Sequence, residues 1–267
     1  MRLRPSGRAR AALGALLLLP ALLVGPHAPA VAAPSPQAAV EAAGYWDSAT
    51  GLGGAALARE VHHIIATGTT RLSYDQVWSA LKVTDRSPSD PSRVVLLYQG
   101  TTMPASNNGG GVDQWNREHV WAQSHGSFGT TPGPGTDLHH LRPTDVTVNS
   151  ARGNLDFDEG GAQNAEAPGN YADSNSWEPR DADKGDVARM VLYMDVRWDG
   201  GDGFPDLEVD DVAGGTGPRH GRLSALLRWH AEDPVTAAER ARNDAVQDLQ
   251  GNRNPFVDHP EWVQSIW

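Results

Sequence analysis

The stretch that decides the fold begins Trp115-Asn116-Arg117-Glu118-His119-Val120-Trp121 and, after a loop of about fifteen residues, continues Asp137-Leu138-His139-His140-Leu141-Arg142-Pro143. It closes with Thr144-Asp145-Val146-Thr147-Val148-Asn149-Ser150-Ala151-Arg152-Gly153-Asn154. Four of the chain's 10 histidines (His119, His125, His139 and His140) fall inside it, interleaved with acids, amides and arginines. Zinc favours clustered histidine and cysteine ligands, whereas a hard ion such as Mg²⁺ favours oxygens and keeps its waters. There is no HExxH spacing here. One carboxylate (Glu118) and one amide oxygen (Asn149), completed by phosphate oxygens, suit Mg²⁺ better. A histidine beside that carboxylate, His119, is then free to take a proton from water, since an ordinary imidazole is partly neutral near pH 7. Arginines nearby could neutralise charge developing on a phosphate. Phosphodiester hydrolysis uses these residue types, but they do not single out that reaction.

Outward from the centre, helical patterns dominate. Leu57, Val61, Ile64 and Ile65 recur at helical spacing and stop at Gly68. Ser73-Tyr74-Asp75-Gln76 reads as a capping box opening a helix that buries Val77, Trp78 and Leu81. Val94-Val95-Leu96-Leu97-Tyr98 reads as a short buried strand. Beyond the centre, Val187, Met190, Val191 and Met194 form a helical stripe, and Leu223, Leu226, Leu227 and His230 form another. Thr236 and Glu239 are a second capping box, for a helix ending near Gly251. Residues 199–218 are acidic and Gly-rich. Their aspartates do not have EF-hand spacing, so a solvated loop is expected. The expected fold is α+β: one mostly helical domain around a centre bearing a short sheet.

The chain has 267 residues, 22 Lys+Arg against 33 Asp+Glu, a net charge of -11 and no cysteine. No disulfide, iron–sulfur cluster, thiolate zinc finger or cysteine nucleophile can form. The acidic balance excludes a binder that coats nucleic acid with basic surface. Residues 1–33 have the layout of a cleaved signal peptide: Arg2, Arg4, Arg8 and Arg10, an apolar run from Ala11 to Val24, then small residues up to Ala33. Residues 34–44 read as a flexible tail and 45–267 as the folded domain. Cleavage removes four arginines, so -11 minus 4 leaves -15. A secreted, extracellular protein without a membrane segment after cleavage is expected.

Trp115–Ser127, Thr136–Pro143 and Val148–Phe157 together resemble the bacterial endonuclease I family. So do Gln76–Val83, Lys184–Met194, Gly201–Leu207 and Gln250–Pro260, so the resemblance spans roughly residues 45–267. It implies a ββα-metal (His-Me finger) core and metal-dependent hydrolysis of DNA, with RNA as a second candidate substrate, with little sequence preference and 5′-phosphate ends. It implies His119 as general base, with its ring oriented by a backbone carbonyl just before Asp137, and Glu118 and Asn149 as ligands of Mg²⁺, with Mn²⁺ or Ca²⁺ as substitutes. Some members use an arginine in the loop after the base to contact phosphate; residues 122–136 contain none. Arg142, Arg117 and Arg152 are the unranked candidates for that catalytic role, and His139, His140 and Arg253 are candidates for substrate contact. A monomer is expected. Two other readings are a phosphodiesterase of small or lipid phosphates and an exported DNA-binding protein whose site has degenerated.

Two outcomes follow from composition. Nuclease activity should be indifferent to dithiothreitol, because the chain has no disulfide to reduce. It should also fall steeply between low and moderate salt, because a chain of this net charge has no long-range attraction for a polyanion to spare. A plasmid-cleavage assay across both series checks them.

Overall fold

The computed structural model describes residues 44–215 and 217–267. The expected signal segment, and residues 34–43 of the expected tail, lie outside the described residues. The helices are α1 (Gly54–Ala66), α2 (Tyr74–Thr84), α3 (Val146–Arg152), α4 (Asp181–Arg197), α5 (Leu223–Glu232), α6 (Ala237–Gln250) and the short α7 (Pro255–Asp258) and α8 (Val263–Ile266). The strands are short: β1 (Arg93–Val95), β2 (Thr102–Pro104), β3 (Trp115–His119), β4 (Leu141–Asp145), β5 (Asp156–Phe157), β6 (Ala162–Gln163), β7 (Tyr171–Ala172), β8 (Ser176–Glu178), β9 (Glu208–Val209) and β10 (Arg219–His220). They form three two-stranded pairs, β1–β2, β3–β4 and β9–β10, and one sheet in the order β5-β8-β7-β6. The fold is α+β, as the sequence led us to expect.

Local chemistry accounts for the helix ends. Ser73 and Thr236 open α2 and α6 with reciprocal capping boxes to Gln76 and Glu239. Gly251 closes α6 in the left-handed conformation, at φ 93°. Asp145 opens α3 by accepting from the amides of Thr147 and Val148. Helix α4 runs well beyond the four residues of its apolar stripe because it is buried on nearly all sides, between α1 and α5. Its buried Arg189 and Arg197 therefore carry partners inward: Arg189 meets the Glu239 carboxylate at 2.6 and 2.8 Å, and Arg197 meets Asp202 at 3.3 Å.

One element is shorter than its apolar pattern implies. Only Arg93–Val95 pairs as a strand. At Tyr98 the backbone turns through φ 72°, and the buried phenol is carried across to Glu118. Burial there comes from a turn, which a run of apolar residues does not distinguish from a strand.

Two apolar clusters meet at the centre. The larger collects α1, α4 and α5 with Val120, Trp121 and Val148; the smaller gathers Val77, Leu81 and Val246 around Trp115, Leu138 and Leu141. The β3–β4 hairpin and α3 thus form a ββα unit with apolar side chains anchored in both clusters. That leaves one edge of the unit for polar chemistry.

The burial of Arg189 gives a test. Glu239→Ala should lower unfolding free energy by about 3 kcal/mol or more, because a guanidinium 1% exposed loses its carboxylate. Glu159→Ala, which breaks the exposed pair with Arg228, should change it by less than about 1 kcal/mol. Urea titrations of both variants check the contrast.

Candidate active site

A cleft of about 400 Å³ opens beside the ββα unit, lined by Tyr74, Arg117, Glu118, His119, Gln123 and Asn149, with Ala122, Ser124, Gly153 and Asn154 at its rim. The antiparallel pairing of β3 with β4 sets Glu118 opposite Arg142 and His119 opposite Leu141. Side chains alternate along a strand, so Arg117 and His119 share one face of β3 while Asn116 and Glu118 share the other. Helix α3 then brings Asn149 to the Asn116 side, where its amide nitrogen donates to Asn116 Oδ1 at 2.7 Å. With that nitrogen engaged, Asn149 Oδ1 is the atom left for a ligand.

His119 is buried and oriented. Its Nε2 donates to the Gly135 carbonyl at 3.0 Å, which leaves Nδ1 as the unprotonated nitrogen. The carbonyl lies two residues before Asp137, in the region the family resemblance implies for it. A side chain at Gly135 would collide with the Gly129 carbonyl, so the loop can close on the ring only through glycine. The Gln123 amide nitrogen flanks the ring edge, 3.2 Å from Nδ1 and 3.1 Å from Nε2. Burial, then the positive charge of neighbouring His140, push the imidazole down to about 3, with the Gly135 hydrogen bond opposing them. The ring is therefore neutral across the physiological range.

Glu118 is buried too. Tyr98 donates to its Oε1 at 2.8 Å and Arg152 donates to the same atom at 3.1 Å. Both bonds converge on Oε1, so Oε2 is the oxygen available to a cation. Burial raises the carboxyl above its ordinary range, and the Arg152 charge and the Tyr98 hydroxyl pull it back. A carboxylate oxygen and an amide oxygen on one cleft make an all-oxygen donor set, which fits a hard divalent ion such as Mg²⁺.

The three arginines separate cleanly. Arg117 lines the cleft, with its guanidinium 3.3 Å from the Tyr74 ring centroid and 3.9 Å from that of Trp78. Arg152 is 0% exposed and sits behind Glu118, so it cannot touch a substrate. Arg142 does not line the cleft: it is buried, and its Nε donates to Asp85 at 2.6 Å. Of the catalytic candidates, Arg142 and Arg152 are therefore corrected to structural partners, and only Arg117 faces the cleft.

The substrate-contact candidates are corrected as well. His139 is buried against Tyr193 with Nε2 on the Asn252 carbonyl, and His140 is buried with Nε2 on the Pro134 carbonyl at 2.7 Å. His140 holds the loop that closes over His119, and His139 ties the start of β4 to the segment after α6. Arg253 is 4% exposed and spent on Asp258, Asp244 and Gln247. In each case burial with internal partners leaves no donor for a ligand. Tyr98 and Asn116, which orient the candidate ligands, carry no sequence signal, because their roles arise from contacts far apart along the chain.

Among the described residues one other group could hold a metal: His125, Asp156 and His220, all buried. Here those atoms bond to one another and to backbone. His220 Nδ1 meets Asp156 Oδ1 at 2.5 Å, Asp156 Oδ2 accepts from the amides of Gly214 and Gly215, and His125 faces the Arg219 and Asn154 carbonyls. Among the described residues Glu118 is the only acid lining the cleft; the acidic stretches 156–159, 181–186 and 199–211 contribute none of its lining.

Comparison with known proteins matches residues 54–261 to the family described as Endonuclease I. The extracellular ribonuclease of Bacillus amyloliquefaciens is 59% identical over 225 residues, covering 84% of this chain and 78% of that protein. The extracellular ribonuclease of Bacillus subtilis (strain 168) is 57% identical over the same shares. No helix among the described residues is long and apolar enough to cross a membrane.

The buried histidines predict acid lability. Unfolded, these rings titrate near 6.5; folded, burial first of all pushes His119 to about 3 and His139, His140 and His220 to about 4. On acidification the unfolded chain takes up protons first. Stability fully present above pH 6.5 is lost as pH falls from 6.5 to about 4, on the order of several kcal/mol in sum. Carboxyls raised by burial work the other way and offset part of that loss: Asp195, pushed to about 7, and Asp186, with Glu118, Asp206 and Asp233. The urea midpoint should be well below its pH 7 value at pH 4.5; an unchanged or higher midpoint contradicts this.

Proposed function

This chain belongs to the endonuclease I family, and from that premise we propose that it is a secreted, divalent-metal-dependent nuclease hydrolysing both RNA and DNA with little regard to sequence. Export is supported by the basic–apolar–small layout of residues 1–33 and by relatives named as extracellular. The observation that carries the chemistry is that His119, Glu118, Asn149 and Arg117 line one cleft, with His119 Nε2 and the Asn149 amide nitrogen already engaged elsewhere.

Glu118 and Asn149 would hold the cation, Mg²⁺ by preference. When bound it would neutralise the scissile phosphate and stabilise the departing 3′ oxygen. His119 accepts a proton from the attacking water at Nδ1, while Nε2 stays on the Gly135 carbonyl and fixes the plane of the ring. Arg117, held flat by Tyr74 and Trp78, offers its remaining N–H groups to a phosphate oxygen. Contacts of this kind read the backbone and not the bases, so sequence preference should be slight.

Water as the nucleophile makes the 2′-hydroxyl dispensable, which is why DNA is included although the relatives carry the name ribonuclease. Matched RNA and DNA strands should both be cut in Mg²⁺, leaving 5′-phosphate and 3′-hydroxyl ends, and chelator should stop both reactions. Purified His119→Ala should keep its circular dichroism spectrum and lose at least about a hundredfold in rate. Cleavage confined to RNA with 2′,3′-cyclic ends, or an undiminished His119→Ala rate, would overturn the proposal.

A further inference from the structure

Arg152 is the most heavily used side chain behind the cleft. Its Nη1 donates to Glu118 Oε1 at 3.1 Å and to the His119 carbonyl at 2.8 Å. Its Nη2 donates to the Val120 carbonyl at 2.7 Å and meets His220 Nε2 at 3.0 Å. A guanidinium only donates, so His220 Nε2 must be the acceptor, and the ring proton must lie on Nδ1. That proton faces Asp156 Oδ1, while Asp156 Oδ2 is fixed by the Gly214 and Gly215 amides. The 3.2 Å approach of His220 Nε2 to the Val120 carbonyl follows from their sharing Nη2. A continuous line of hydrogen bonds thus runs from Asp156 through His220 and Arg152 to Glu118.

The line has a consequence for the carboxylate. An arginine left alone with a carboxylate tends to take both oxygens with two parallel N–H groups. Here His220 and the Val120 carbonyl hold Nη2, so only Nη1 reaches Glu118, and only at Oε1. We infer that Asp156 and His220 are positioning residues: by holding Nη2 of Arg152, they keep Glu118 Oε2 open to the metal ion. The inference rests on the reading of Glu118 and Asn149 as cation ligands.

Mn²⁺ binding to the folded protein, followed by the electron paramagnetic resonance signal of the free ion, tests this without reference to turnover. An asparagine at 220 can keep a donor toward Asp156 but does not reach Arg152, whereas glutamine can place an oxygen where Nε2 lies. His220→Asn should therefore weaken Mn²⁺ about tenfold, and His220→Gln should remain within about threefold of the wild type. Asp156→Asn, which keeps shape and removes the charge, should weaken it at least about threefold, and supplies the reading if His220→Asn does not fold. A purely structural role would leave Mn²⁺ affinity unchanged in every variant that folds by circular dichroism. Glu118→Ala separates the two levels. If it loses Mn²⁺ while the folded His220 and Asp156 variants bind like the wild type, the positioning inference alone is overturned. If Glu118→Ala binds as tightly as the wild type, the inference and the metal reading fall together.

Discussion

A guanidinium shut away from water needs acceptors inside the protein, and Arg152 finds them for both terminal nitrogens, chiefly on the strand that carries the chemistry. Its bonds to the Glu118 carboxylate and to the carbonyls of His119 and Val120 tie the end of β3 to the end of α3. Those two elements present Glu118 and His119 on one side and Asn149 on the other. Leaving such a charge uncompensated would cost several kcal/mol, so the relative placement of strand and helix is strongly determined. The cleft inherits its shape from that constraint. Apolar packing then supplies rigidity on both flanks, through Trp115 and Leu141 in one cluster and Trp121 and Val148 in the other.

The same arrangement reconciles an acidic chain with a polyanionic substrate. The acids outside the cleft are largely engaged elsewhere: Asp85 with Arg142 and Arg242, Asp183 with Arg180, Glu239 with Arg189, Asp202 with Arg71 and Arg197. At the cleft, Glu118 is paired with Arg152, and Arg117 adds a second positive charge to the lining. Net charge bears on long-range approach, while the local balance bears on what is held once contact is made. A metal-centred site needs only the second to be favourable.

Much of this was legible before any coordinates, and the division has a physical basis. Capping boxes at Ser73 and Thr236 and the glycine stop at Gly251 are local chemistry, and each stands where its spacing placed it. The adjacency of Glu118 and His119, with Asn149 beyond a turn, was readable because one hairpin and one short helix suffice to bring them together. The arginines were not rankable. Whether an arginine faces substrate or a buried acid depends on partners such as Asp85, 57 positions from Arg142, and His220, 68 positions from Arg152. His139 and His140 resemble site residues in composition, yet both are buried on internal carbonyls, His139 on Asn252 and His140 on Pro134 of the loop over His119. Tyr98 was read as the end of a strand because an apolar run marks burial and not the turn that delivers a hydroxyl.

The central claim is that oxygens of Glu118 and Asn149 make the cation site, with His119 beside it as the base. Crystals soaked in Mn²⁺ and measured at the manganese absorption edge test this most directly. The account predicts an anomalous peak within about 2.2 Å of both Glu118 Oε2 and Asn149 Oδ1, on the His119 side of the cleft. A peak among His125, Asp156 and His220, with none at Glu118, would contradict it.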